Sequence, residues 1–185
     1  MFRLSTAWIG MALIGSLVPG GPVWAEDAAP TAIVAVSYKN PEKFTDASDR
    51  GLYSPRATES VMRRLTAHFQ EQGAKYLAEG QTMEIEVTDI DLAGRFEPGH
   101  TPGYEDVRLL RESTWPRMEF NYVVKQGEEI VDSGEAKLSD MSYLMHSSVS
   151  RSSDPLHHDT QMIDRWFRKH FEARSEATAS ATEPQ

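Results

Sequence analysis

The stretch Glu84–Asp91, EIEVTDID, places four carboxylates, Glu84, Glu86, Asp89 and Asp91, close together in the chain. Two chemistries use such a set. A hard divalent cation such as Ca²⁺ takes about six to eight oxygen ligands, many of them carboxylate. Held in place, a divalent ion could also activate water for hydrolysis. The other chemistry is bracing, because a carboxylate accepts a planar arginine fork in two parallel hydrogen bonds. A strand spaces same-face neighbours roughly 6.5–7 Å apart, too far to share one small ion unless a bulge intervenes. No EF-hand spacing is present. The expected role is therefore a structural network of Asp89, Asp91, Arg95, Arg108 and Arg111. The alternative is a divalent-cation site on Glu84, Glu86, Asp89 and Asp91, with Ca²⁺ or a similar ion as cofactor.

Directly after the acids comes a long segment, Arg95 to Asp106, that mixes Gly and Pro with aromatic residues. Long ordered loops are common binding elements, so Arg95, Phe96, His100 and Tyr104 are the expected contact residues. His157, His158, Asp159 and His146 offer nitrogen and oxygen ligands for Zn²⁺. No His-x-x-x-His pair sets two of the histidines on one helical face, and solvent-facing helix histidines are the simpler expectation. No nucleophile elbow, Ser-x-x-Lys or phosphate loop occurs, so a non-enzymatic role is expected.

The elements that must position these groups follow from periodicity. Thr31–Asn40 is apolar on both parities, which reads as a strand covered on both faces or central in a sheet. Ser54-Pro55 reads as an N-cap and first helical residue. Val61, Leu65, Phe69 and Tyr76 then form the stripe of a helix over about 55–78, ended by Gly80. In the second strand Met83, Ile85 and Val87 share one parity, whereas Ile90 and Leu92 share the other. A β-bulge near Thr88 and Asp89 would reconcile them. Met118, Phe120, Tyr122 and Val124 alternate along a third strand, in which Pro116 implies a strand start, a bulge or an edge position. Residues 125–129 read as a hairpin turn, and a returning strand follows. Its Gly134 leaves room for Trp115 or a helix side chain. Ser153-Asp154-Pro155 opens a last helix with Met162, Ile163, Trp166 and Phe167 as its stripe. The order β-α-β-β-β-α predicts a two-layer α+β domain: a mixed four-stranded sheet with two helices packed on one face.

The chain has 185 residues, no cysteine and a formal charge of −9. Arg3, the apolar run Ala7–Val18 and the small residues up to Ala25 match a secretory signal peptide cleaved near Ala25. The apolar run is shorter than the ~20 residues of a membrane span. Removing the signal takes away Arg3 and no acid, so −9 becomes −10. That sign disfavours nucleic acid as partner. The expected organisation is a signal peptide over 1–25, a mobile N-terminus over 26–30, one domain over 31–171 and a disordered tail over 172–185. The location expected is periplasmic or secreted, with no membrane insertion after cleavage.

Five phrases, NPEKFTD (40–46), GQTMEIEVTDIDLAGRFEP (80–98), DVRLLRESTWPRMEFNY (106–122), LSDMSYL (138–144) and DRWFRKHF (164–171), occur in this order. Together they resemble an exported bacterial family catalogued as domain of unknown function 3016. The resemblance implies one domain and an exported location, and it brings no catalytic residues. The function expected is a binding or support module for another cell-envelope component.

Overall fold

A computed structural model describes residues 33–49, 54–97, 107–145 and 153–181, with side chains through Glu172. The elements are β1 (Val34–Tyr38), α1 (Pro55–Tyr76), β2 (Gln81–Asp91), β3 (Arg95–Phe96), β4 (Arg108–Leu109), β5 (Arg117–Gln126), β6 (Glu129–Ser139) and α2 (His157–Ala181). The protein is α+β, with a mixed four-stranded sheet in the order β1-β2-β5-β6. β1 runs parallel to β2, and the other two pairings are antiparallel. β3 and β4 form a separate two-stranded ribbon, so the segment expected as plain loop starts in extended, paired backbone. The expected signal segment 1–25 and residues 26–30 lie outside the described residues.

β1 sits at the sheet edge, not at its centre, and Ala35 and Ser37 are exposed. Its two apolar parities have different causes. Val34 is buried against α1, whereas the other parity is simply small. Gly73 of α1 allows this approach, since a Cβ there would lie 2.0 Å from Val34 Cγ2. Tyr38 completes the seam. Its hydroxyl donates to the Met62 carbonyl at 2.7 Å and lies 3.0 Å from the Thr66 hydroxyl. Burial pushes the Tyr38 phenol up to about 12.

α1 begins where Pro55 fits the first turn, but Ser54 contributes no side-chain cap. Its carbonyl instead accepts from the Thr58 N–H at 3.0 Å. The helix ends at Tyr76, before the expected Gly80, which belongs to the turn into β2. α2 starts three residues after Asp154. The Asp154 carboxylate accepts from the Leu156 N–H at 2.8 Å, and its carbonyl accepts from the His157 N–H at 3.1 Å. The helix continues to Ala181, so helical backbone extends into the segment read from sequence as a disordered tail.

Between the sheet and the helices lies one aromatic junction. Phe120 of β5 meets Phe69 of α1 at 5.5 Å and Trp166 of α2 at 5.0 Å, both edge-on. Tyr122, two residues along, meets Trp166 at 5.3 Å. Rings in such T-shaped pairs add about 0.5–1.5 kcal/mol beyond the area they bury. Tyr122 also explains Gly134, its cross-strand partner on β6. A Cβ at Gly134 would lie 3.0 Å from the Tyr122 hydroxyl, so the large neighbour is Tyr122 and neither Trp115 nor a helix side chain.

Gly73→Ala should destabilise the fold although alanine favours helix. Overpacking against Val34 costs about 1–3 kcal/mol, against a propensity gain of about 1 kcal/mol. Urea unfolding should show a lower midpoint for Gly73→Ala, largely restored in the double variant with Val34→Ala. A single variant as stable as wild type would mean that β1 and α1 are not in this contact.

Candidate functional site

The β2 bulge lies between Val87 and Asp89, where sequence parity places it. Past it, Ile90 still points inward, and Asp89 and Asp91 share the opposite side. There they do different work. Both Asp89 oxygens accept from Thr45, one from its N–H and one from its hydroxyl, each at 2.8 Å. Asp91 is only 4% exposed, although it is on the outer parity. It accepts from Arg117, through Nε at 3.0 Å and through Nη2, and from Arg95 at 3.4 Å. Glu84 pairs with Lys125 at 2.6 Å, and Glu86 lies 3.6 Å from Lys39. The four carboxylates thus face four different partners. Among the described residues, no three His, Asp or Glu side chains are grouped to hold one ion.

Arg108 does not join Asp89 or Asp91. It pairs with Asp46, through Nη1 at 3.3 Å and Nη2 at 2.8 Å. Its remaining donors go to backbone carbonyls: Nε to Ala93 at 3.0 Å, Nη1 to Ser48 at 2.7 Å, and Nη2 to Leu92 at 3.1 Å and Gly94 at 2.8 Å. Phe96 lies over the guanidinium, 5.0 Å from ring centre to Cζ. Asp46 is held in turn by a parallel bridge to Asp91, in which the Asp46 N–H donates to Ile90 and the Leu92 N–H donates to Asp46. Arg111 pairs with Glu97 at 2.7 Å, away from both aspartates. Of the expected network only Asp91–Arg95 forms as a direct pair. Arg117 and Asp46 are the partners that sequence reasoning missed. Of the four expected contact residues, Arg95 and Phe96 are turned to Asp91 and Arg108, while His100 and Tyr104 lie outside the described residues.

Beside this arginine clasp opens a cleft of about 370 Å³. Ala93, Val107, Leu110 and Pro155 give it apolar walls. Val107 and Leu110, which flank β4, are 44% and 45% exposed and form its lip. Asp49, Asp154, His157 and His158 supply the polar side. Among the described residues, the buried atoms with no hydrogen-bond partner include Asp49 Oδ1 and His157 Nε2. The Asp49 side chain is 10% exposed, and its other oxygen lies 4.0 Å from Arg64. Arg64 is committed to Asp154 through Nη2. Burial acts to raise the Asp154 carboxyl, but the Leu156 N–H and Arg64 outweigh it and hold it below the usual range. Nothing in residue spacing marks Asp49, which follows directly on Ser48, whose carbonyl Arg108 holds.

The histidines differ from expectation. His158 is 6% exposed, with its ring edge-on to Tyr143 at 4.7 Å, and does not face solvent. His146 lies outside the described residues. Asp159, 1% exposed, sits behind the cleft, and its Oδ1 accepts from the Ala93 N–H at 3.2 Å. Its Oδ2 has no partner. Burial pushes its carboxyl up to about 7, against the pull of the Ala93 N–H and of Arg108.

Compared with known families, residues 32–169 match the family model described as "Protein of unknown function (DUF3016)". No curated protein and no solved structure matches the chain.

Arg108→Lys keeps the charge but not the fork. It should cost about 2–4 kcal/mol in urea unfolding, since one ammonium cannot serve four carbonyls and a carboxylate. A lysine variant within experimental error of wild type would show that charge alone suffices. Asp159 gives a pH test. Its carboxyl titrates near 3.8 unfolded and about 7 folded. The folded state therefore holds the extra proton between those values, and stability falls as pH rises through that window. Asp159→Asn removes this loss. Its stability relative to wild type should be near zero at about pH 4 and increase to a few kcal/mol by about pH 8. A difference that stays flat with pH would rule out a neutral buried carboxyl.

Proposed function

The chain belongs to the family of proteins of unknown function DUF3016, and from that footing we propose that it is a non-enzymatic binding module for another cell-envelope component, engaged through the cleft beside Arg108. The observation that carries this reading is the cleft itself, whose apolar walls of Ala93, Val107, Leu110 and Pro155 meet the polar side chains of Asp49, Asp154, His157 and His158. The cleft volume falls at the lower end of the ~300–1,000 Å³ usual for ligand sites, and its mix of apolar walls with a few polar groups matches theirs.

An exported location is supported by the signal-peptide pattern over 1–25. Among the described residues no helix is long and apolar enough to cross a membrane. The acidic strand edge is not part of the proposed site, because each of its carboxylates is engaged by a different neighbour.

Site-specific photo-crosslinking in growing cells tests the reading. A photoreactive residue at Leu110, on the lip, should give a discrete adduct in the envelope fraction. The same residue at Ser37, on the exposed outer side of β1, should give none. Identical patterns from both positions, or no adduct from Leu110, would defeat the proposal.

A further inference from the structure

Independently of the cleft, we infer that a second copy of this chain pairs antiparallel with β6 about a two-fold axis at Ala136, joining two four-stranded sheets into one. Among the described residues β6 has a strand on one side only, because it ends the order β1-β2-β5-β6. It is the longer of the two edges, with 11 residues against 5 in β1. The β1 edge is also partly closed, since the Gln70 side chain donates to the Val34 carbonyl at 3.4 Å.

The backbone groups that β6 leaves open follow from one bond. The Asp140 N–H donates to the Pro116 carbonyl at 3.2 Å, one step past the Arg117–Ser139 pair of the β5–β6 ladder. Hydrogen-bonded pairs alternate along an antiparallel ladder, so Leu138, Ala136 and Gly134 direct their N–H and C=O at β5. Ser133, Glu135, Lys137 and Ser139 direct theirs outward. The register is uninterrupted over these residues, so the open groups repeat evenly, as an added strand requires.

Charge sets the partner and the register. A two-fold axis at Ala136 places Glu135 opposite Lys137 of the second copy, and Lys137 opposite its Glu135. Opposite charges directly across strands stabilise a pair, and like charges oppose it. An axis at Glu135 or at Lys137 would set that residue against itself. A lysine in mid-edge ordinarily keeps other strands away. Here it meets a glutamate on both sides, Glu119 of β5 at 3.9 Å and Glu135 of the second copy. The ends of the pairing add apolar contact. Ile130 and Val131 precede this stretch, and Met141, Leu144 and Met145 follow it; they are five of the eight exposed large apolar side chains among the described residues. Antiparallel pairing brings the first group of each copy to the second group of the other. At physiological salt, repulsion between two chains of formal charge −9 is screened beyond about 8 Å, so the facing pairs decide.

The test is sedimentation equilibrium of the purified protein, from micromolar to hundreds of micromolar concentration, for wild type, Glu135→Lys and Lys137→Glu. Wild type should approach twice its chain mass as concentration rises. Each variant sets like charges across the axis in two places and should weaken the dimer at least about tenfold. Mixed together, the two variants should dimerise again, because each offers the charge that the other lacks. That recovery also shows that both are folded, so a loss of dimer in either one alone is not a loss of fold.

A single-chain mass for wild type at every concentration would overturn the dimer. A dimer that both variants keep would place the contact elsewhere and overturn β6 as the interface. Variants that dissociate and stay apart when mixed would overturn the axis at Ala136. Neither exchanged residue lines the cleft, so the crosslink from Leu110 stands or falls separately.

Discussion

Arg108 has a side chain only 8% exposed, and each segment that meets at the cleft end of the sheet is tied to it. The chain leaving β1 arrives through Asp46 and Ser48, and the turn after β2 through Leu92, Ala93 and Gly94. β3 covers it with Phe96, and α2 is joined at one remove, through the Asp159 bond to Ala93. A buried ion pair alone is weak evidence for stability, because removing two charges from water costs several kcal/mol per ion. The Arg108–Asp46 pair escapes that objection in a specific way. The guanidinium replaces its lost water with five protein acceptors, one carboxylate and four carbonyls. Those carbonyls belong to irregular backbone, which has no sheet or helix to satisfy it. One side chain thereby settles two liabilities, its own charge and the open carbonyls of two turns.

The bulge at Val87–Asp89 makes the clasp possible. Without the inserted residue, Ile90 would face outward and Asp91 inward, and the chain after β1 would have no edge on which to continue. With it, residues 44–46 return to β2 and extend the parallel pairing beyond β1 through the Asp46–Asp91 bridge. Thr45 fills the gap by bonding both Asp89 oxygens. The two aspartates are therefore braces of different kinds. Asp89 fixes the detour, and Asp91 joins β2 to the start of β5 through Arg117.

These features were unequally legible in the sequence, for physical reasons. The bulge could be read because core burial forces apolar residues to one side, so a swap of parity within one strand signals an inserted residue. The Asp91–Arg95 pair could be read because its partners lie close together in the chain. The Arg108 clasp could not. Four of its acceptors are backbone carbonyls, which look alike at every residue, and its carboxylate lies 62 positions away. The edge position of β1 escaped for a related reason: periodicity reports which side chains are covered, not how many strands lie alongside. His158 escaped because a helix of mixed character does not reveal that Tyr143 will close over it. The phrases TDIDLAGR and TWPRMEF carried the family resemblance without giving it a cause. The fold supplies a physical reading, since the first provides Asp91 and the carbonyls of Leu92, Ala93 and Gly94, and the second provides Arg117.

The cleft has its meaning by contrast with the clasp beside it. Both are built from charged groups withdrawn from water, a few residues apart in the chain. In the clasp every donor has an acceptor; among the residues that line the cleft, the buried Asp49 Oδ1 and His157 Nε2 have no partner. A nearby arginine, Arg64, already touches the other side of Asp49. Arg64 in turn holds Asp154, which also receives the Leu156 N–H at the start of α2. The wall of the cleft from Leu110 to His157 is therefore fixed by the clasp on one side and by the start of α2 on the other.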